Sequence, residues 1–456
     1  MAGWTINPSE DVAGRGTASV PWTYFFGALG GLLFGYDIGV IGGALLFIRQ
    51  DMHFGPWLQG IVVSALMFGA IIGAGLCSWL ANKFGPRRLL ITAGFFLAVG
   101  ALGAALSRTG MELIGFRAII GIGVGVASAQ VPIYLSEMAP TRLRGALSTV
   151  NQIMISGGIV LAYLISYLFS SNGSWRMMIG LAVIPAILLI IGMWCQPESP
   201  RWLFRHNRQE EAVHILRRNR SDAEVEAELN GMLEAGRRQE ITLADLLSTP
   251  WLRRSLFLAV GLALLQQFVG INTIVYYAPT IFRAAGFGNS TAILTTFGLA
   301  GLTFIVTVCT SQLVDRLGRR PMMMGGALAL CITMAIIGIV FLADKQDGEI
   351  GVIITIACIA LYKVAFSLSW GPLVWILLPE VVPLRARSTA VGVAATANWV
   401  GNYFVGLVFP IMLQVGAGAI FEIFAGFALI AFFFTKIFLH ETARQSLEQI
   451  ELRELR

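Results

Sequence analysis

Apolar and polar positions in this chain segregate into long blocks. Twelve apolar runs begin near Trp22, Trp57, Leu89, Met111, Ala146, Met177, Ser255, Thr291, Pro321, Gly351, Thr389 and Ala417, most of them separated by short polar connections. Each is close to the roughly 20 residues that a helix needs to cross a hydrocarbon core of about 30 Å. Lipid offers backbone N–H and C=O groups no partner, so the runs are predicted to be helices that close their own hydrogen bonds. The one long polar interruption, from Glu198 to about Trp251, contains EAVHILRR and DAEVEAELNGMLEAGRRQ, with apolar residues at helical spacing. That pattern predicts short amphipathic cytosolic helices, and it divides the spans six and six.

Composition sharpens the class. Hydrophobic residues make up 56% and charged residues 13% of the 456 positions, whereas a soluble chain carries about 25% charged residues. The fold class is therefore an all-α membrane protein of twelve transmembrane helices. Most of the 32 Lys and Arg residues fall on the side of the bundle that carries both termini, and the other side holds only Arg49, Arg108, Arg283 and Lys345. By the positive-inside rule both termini are expected in the cytoplasm. The net charge of +6 thus reflects topology and makes no case for nucleic acid. Residues 1–20 lack the basic start and apolar core of a cleavable signal and read as a short cytosolic tail.

The two halves echo each other. SEMAPTRLRG, with Glu137, Pro140, Arg142 and Arg144, recurs as PEVVPLRARS, with Glu380, Pro383, Arg385 and Arg387. Glu198 in PESPR recurs at the same spacing as Glu441 in HETAR, and NKFGPRR and DRLGRR follow the second span of each half. An internal six-helix repeat marks a transporter whose halves rock about a site near the midplane. The predicted organisation is a cytosolic tail (1–20), a six-helix half (21–197), a cytosolic helical linker (198–251), a second six-helix half (252–439) and a cytosolic tail (440–456).

GYD at 35–37, FRAIIGIGVG around Arg117, PESPRWL at 197–203, QQFVGIN at 266–272, DRLGRR at 315–320 and the Asn398-Trp399 pair together resemble the sugar porter branch of the major facilitator superfamily. The resemblance covers essentially the whole chain and implies the major facilitator fold. A pyranose is a ring of hydroxyls that each donate and accept, so its pocket needs amides and aromatic plates. Gln152, Gln266, Gln267, Asn272 and Asn398 are amides inside predicted spans. For any one of them a helix-to-helix hydrogen bond is an equal alternative, but three of them share the seventh span. The resemblance assigns all five to sugar hydroxyls, with Trp375 and Trp399 as flanking aromatics and Phe34 and Tyr277 nearby. Trp22, Trp57 and Trp251, near span ends, read instead as interfacial anchors. One expected ligand is missing: where the family pattern has Asn in the eighth span, this chain has Gly301 or Thr303.

Asp37 is the only acidic residue between Asp11 and Asp51. An ionised carboxylate at the centre of a span costs about 2.5–3.5 kcal/mol on insertion scales, so it should be neutral, paired or in contact with water. Arg117 is the candidate partner. From the residues alone, a static pair and a functional one both stay open. The resemblance implies the second, since proton-coupled members carry Asp at this position and facilitative ones a neutral residue. A motion that alters the separation of Asp37 and Arg117 would then load or release a proton.

The repeated motifs predict another role. Glu137, Arg144 and Glu198 in one half, and Asp315, Arg319, Arg320, Glu380, Arg387 and Glu441 in the other, are expected at inner helix ends, where ion pairs between the halves would latch the inward gate. Asn82 and Pro86 stand where the family turn has Asp and Arg, and HETARQS replaces the usual ending, so the first-half latch is expected to be weaker. Lys363 in the tenth span has no counterpart in the pattern. Snorkelling to the interface and lining the cavity are both open to it.

Other classes fare poorly. His53, His206, His214 and His440 lie outside the spans without a His-x-x-x-His pair, and the five cysteines show no metal-like spacing. Neither an intramembrane enzyme nor a metal site is expected. A transporter-like sugar sensor typically carries a long cytosolic tail, and only residues 440–456 follow the last span. The expectation is a monomeric, proton-coupled monosaccharide symporter of the plasma membrane. Glucose leads xylose and galactose, a facilitative uniporter is the alternative, and no cofactor or partner is implied beyond sugar, proton and lipid.

Overall fold

The computed structural model describes residues 20–139, 144–218, 220–237, 243–284, 286–344, 348–383 and 386–441, without the side chains at 20–21, 144–149, 234–237, 311–316, 388 and 415. Most of both predicted tails lies outside the described residues. Among these residues, twelve helices are long and apolar enough to cross a membrane. In order they are Trp22–Asp51, Pro56–Phe84, Pro86–Leu106, Gly110–Met138, Val150–Leu168, Trp175–Trp194, Pro250–Ala284, Asn289–Thr310, Arg319–Leu342, Glu349–Glu380, Thr389–Gln414 and Gly416–Phe438. Each begins within a few residues of its expected start. Pro56, Pro86 and Pro250 open their helices at positions where the missing N–H would have had no intrahelical partner.

Spans one to six pack on one another, as do spans seven to twelve, in the two-half major facilitator arrangement. The linker forms the short helices Pro200–Arg205, Gln209–Leu216, Asp222–Arg237 and Leu243–Ser248. Large apolar residues such as Phe95, Ile191, Ile305, Ile339 and Ile353 stay exposed on the outside of the bundle, as a lipid-facing surface requires.

Glycine explains how closely the first half packs. In the first span Gly31, Gly35 and Gly39 recur every four residues along one face, against the fifth span. A Cβ at Gly35 would be driven into the carbonyl oxygen of Ile155, and one at Gly158 into that of Leu32. The second and fourth spans cross in the same way at Gly69, Gly73, Gly121 and Gly125. Small residues let membrane helices approach backbone to backbone, where dispersion and Cα–H···O contacts replace a hydrophobic drive that lipid does not supply.

Three spans are not single helices. The sixth is Trp175–Gly180 followed by Val183–Trp194, joined through Leu181 and Ala182, whose backbone stays in the right-handed helical region. The seventh is Pro250–Phe268 followed by Ile271–Ala284, and Gly270 between them takes a left-handed φ of 91°. The tenth is Glu349–Leu368 followed by Trp370–Glu380, with the break at Ser369. Irregular backbone at membrane depth is tolerated only where protein or a water-filled cavity surrounds it, and at Gly270 and Ser369 the backbone leaves the right-handed helical region altogether.

The halves meet at the end of the bundle opposite the repeated Glu and Arg motifs. The Tyr163 hydroxyl donates to the Val275 carbonyl, Ser170 donates to Ser290 at 2.9 Å, and a Cβ at Gly60 would strike the carbonyl of Leu407.

Candidate functional site

Gln266 and Gln267 end the first segment of the seventh span and Asn272 begins the second, so the break brings three amides to one level. Gln266 Nε2 donates to the carbonyls of Trp370 (2.7 Å) and Gly371 (3.2 Å), which tie the seventh-span break to the tenth-span break. Gln267 Nε2 donates to Asn398 Oδ1 (3.0 Å) and to Gln266 Oε1 (3.4 Å), and Gln267 Oε1 accepts from Asn272 Nδ2 (2.6 Å). Asn398 Nδ2 donates to Gln266 Oε1 (2.7 Å) and to the Ala263 carbonyl (2.9 Å). Four amides thus form one network, with Asn272 at its more open edge. Because every member both donates and accepts, a sugar hydroxyl can replace one partner of an amide pair without orphaning the other.

The remaining candidates are placed unevenly. Trp399 is buried, its ring 5.5 Å from that of Phe34 in the opposite half. Trp375, the other flanking aromatic, stays 43% exposed. The Tyr277 hydroxyl is taken by the Gly406 carbonyl at 3.2 Å. Gln152 is half-buried on the fifth span and takes no part in the hydrogen bonds of the amide network. In the eighth span, Thr303 turns its hydroxyl to the Leu299 carbonyl of its own helix (2.7 Å), and a Cβ on Gly301 would meet nothing within 4 Å. Sequence reading passed over Asn402, which exchanges hydrogen bonds with Tyr276 at 3.2 and 3.4 Å. Its spacing of one helical turn from Asn398 is the signal that marks it.

Asp37 and Arg117 are both buried, on the first and fourth spans. Arg117 Nε donates to the Val62 carbonyl of the second span at 2.7 Å, and the hydroxyl of Tyr36 donates to the Met178 carbonyl at 2.6 Å. The two charges lie in each other's field, yet they form no contact pair, and Asp37 Oδ2 accepts no hydrogen bond from any described residue. Tyr276 and Tyr277, on the second segment of the seventh span, lie in the field of Arg117 as well.

At the motif end, the repeat becomes a repeated piece of geometry. Glu198 Oε1 accepts from the backbone N–H of Arg87 (2.9 Å) and of Ser199 (3.0 Å), and Glu441 accepts from those of Arg319 (3.0 Å) and Arg320 (3.1 Å). The carboxylates cap the third and ninth spans, where unpaired N–H groups and the helix dipole favour an anion. Arg87 reaches the Met193 carbonyl (3.0 Å) and that of Trp194, and Arg320 reaches the Lys436 carbonyl (2.7 Å). A Cβ at Gly85 or Gly318 would strike the capping carboxylate. Glu137 accepts from the Ser199 hydroxyl at 2.5 Å, and Arg319 lies 3.6 Å from Glu380.

These bonds fasten each half internally, since the helix N-termini that attract the carboxylates belong to the same half. Arg387 opens the helix of the eleventh span. The side chains of Arg144 and Asp315 lie outside the described residues.

Burial pushes the Glu198 carboxyl above the ordinary carboxylate range, and the N–H groups of Arg87 and Ser199 with the charges of Arg87 and Arg88 pull it back. Glu198→Ala, which removes both accepted bonds, should therefore cost about 1–2 kcal/mol, the range for a lost helix cap. Glu198→Gln keeps an acceptor and should cost less. Thermal unfolding in detergent measures both, and an alanine variant that melts with the parent would contradict the capping role.

Known proteins share this architecture. The glucose transporter GlcP of Staphylococcus epidermidis is 41% identical over 94% of this chain and 96% of its own length. The galactose-proton symporter of Escherichia coli is 37% identical over 97% of this chain and 96% of its own. The inward-open conformation of the xylose transporter XylE from Escherichia coli matches with a TM-score of 0.82 at 29% identity, covering 95% of this chain and 100% of that one. The sequence model that matches residues 23–453 is that of the sugar (and other) transporters, and the chain belongs to that family.

Proposed function

We propose that the protein is a proton-coupled monosaccharide symporter of the plasma membrane, working by alternating access, with glucose as its first substrate to test. The observation that carries this reading is that the second segment of the seventh span starts in the amide network and packs, at the Val275 and Tyr276 carbonyls, against Gly42 of the first span, the helix of Asp37. Asn272, on its first turn, belongs to the amide network, while Tyr276 and Tyr277 lie in the field of Arg117. A sugar that exchanges with the Gln267–Asn272 bond pulls on this segment about Gly270. The same movement alters the surroundings of Arg117, and with them the balance that decides whether Asp37 holds its proton. Thermodynamic linkage makes the effect reciprocal, so protonation of Asp37 also favours sugar.

The glucose, galactose-proton and xylose transporters among the relatives support the substrate class and the coupling. The excess of Lys and Arg supports a cytoplasmic motif end, with both termini on that side. In this reading 21–197 and 252–439 rock as units joined by 198–251, and a monomer suffices.

Uptake of radiolabelled glucose, xylose and galactose into liposomes, with and without an inward proton gradient, tests the proposal. Accumulation above equilibrium is expected only with the gradient. Equilibration that ignores the gradient would make the protein a uniporter. Gln267→Ala removes the amide that bonds both Asn272 and Asn398, so sugar affinity should fall by about 1–3 kcal/mol, the cost of a lost buried bond and its orphaned partners. Binding by calorimetry that matches the parent would remove Gln267 from the site.

A further inference from the structure

Among the described residues, four charged side chains are buried: Asp37, Arg117, Arg220 and Lys363. Arg220 pairs with Glu228 at 2.9 Å in the linker, and Asp37 and Arg117 lie in each other's field. Lys363 has no such counterpart. It is 3% exposed, and it makes no hydrogen bond or ion pair with a described residue. A snorkelling lysine would carry its ammonium to the interface and stay exposed. This one does not.

Helical register locates it. On the first segment of the tenth span, Ile353, Ala357 and Leu361 form the exposed stripe that faces lipid. On the buried side, Tyr362 donates to the Val269 carbonyl at the seventh-span break (2.7 Å), and the carbonyl of Ser367 accepts from Thr310 of the eighth span (3.1 Å). Lys363 projects between these two directions, between the seventh-span break and the eighth span. An ammonium has three donors and no acceptor. Buried without an opposing charge among the described residues, and next in the chain to Tyr362, whose hydroxyl reaches the seventh-span break, it is suited to the oxygens of an anion.

We propose that Lys363 is a substrate contact that extends the site from neutral monosaccharides to acidic ones. The carboxylate of a hexuronate meets Lys363, and the ring hydroxyls meet Gln267, Asn272 and Asn398. The proposal rests on the reading of the amide network as a sugar site. A uronate brings the negative charge that the protein does not supply here, and a neutral sugar uses the same ammonium only as a hydroxyl donor.

Counterflow of radiolabelled glucose in liposomes tests it, with unlabelled glucuronate and galacturonate set against glucose and galactose as competitors. For the parent protein, both uronates should compete within about tenfold of their neutral counterparts. Lys363→Gln should weaken uronate competition at least about tenfold more than glucose competition, as loss of one charge-assisted contact requires. Lys363→Arg, which keeps the charge and the donors, should retain uronate competition. Uronates that do not compete in the parent overturn the proposal, and so does a Gln variant that weakens acidic and neutral sugars alike. If glucose itself does not exchange, the sugar reading falls and takes this proposal with it.

Discussion

Asp37→Asn is expected to abolish gradient-driven accumulation of sugar and to leave sugar-for-sugar exchange intact. The substitution keeps the size of the side chain and a hydrogen-bonding group but removes the titration, so the variant is held in the equivalent of the protonated state. Exchange needs no net proton movement and should persist. Accumulation needs a group that gives up its proton on the far side. An inward gradient of one pH unit is worth about 1.4 kcal/mol, which at one proton per sugar supports at most about tenfold accumulation, and the variant should show none of it. The unpaired Oδ2 of Asp37 motivates the prediction, because a fully satisfied ion pair would leave a proton nothing to relieve. Proteoliposomes with an imposed gradient decide the matter. A variant that concentrates sugar as the parent does removes Asp37 from coupling. One that loses exchange as well makes the pair a structural brace between helices.

Gly121→Val should be among the most destabilising single substitutions in the first half. A Cβ at this position would be driven into the Leu66 carbonyl oxygen, and one at Gly69 into that of Ala118. The obstacle is backbone on a facing helix, which cannot swing aside as a side chain can. Overpacking of this kind costs about 1–3 kcal/mol and sometimes more, and here it also levers the fourth span away from the second. Arg117 lies one turn before Gly121 and bonds the Val62 carbonyl across the same interface, so its position shifts with the crossing. Loss of coupling should accompany loss of stability. Gly75→Val on the second span is the control, since a Cβ there would meet nothing within 4 Å. Thermal unfolding in detergent should separate the two variants. If they melt alike, the close crossing does not carry the stability assigned to it.

The proposed coupling and the packing therefore draw on the same few turns of helix. The glycine-rich run around Asp37 is what lets the first span lie against the fifth, and the glycines of the second and fourth spans hold Arg117 at its depth. A carboxylate and a guanidinium kept near each other without contact need a rigid frame, because flexible helices would let them collapse into a pair.

The amino-acid sequence alone determined the twelve spans, because hydrocarbon imposes one length and one backbone solution on every crossing. It also determined the two-half repeat, and it singled out Asp37, Arg117 and the amides, since a polar group in an apolar run stands out against its neighbours. What it did not contain was the break at Gly270 and Ser369, because hydropathy is unchanged when a helix is interrupted inside protein. Nor did it contain the partners of Glu198 and Glu441, which cap helices of their own half, or the contrast between the exposure of Trp375 and the burial of Lys363. Asn402 escaped notice for the same reason, as its partner Tyr276 lies on another span. Which polar groups meet, and whether a position in a span faces lipid, protein or a cavity, depends on residues far apart in the chain, and only helix packing brings those together.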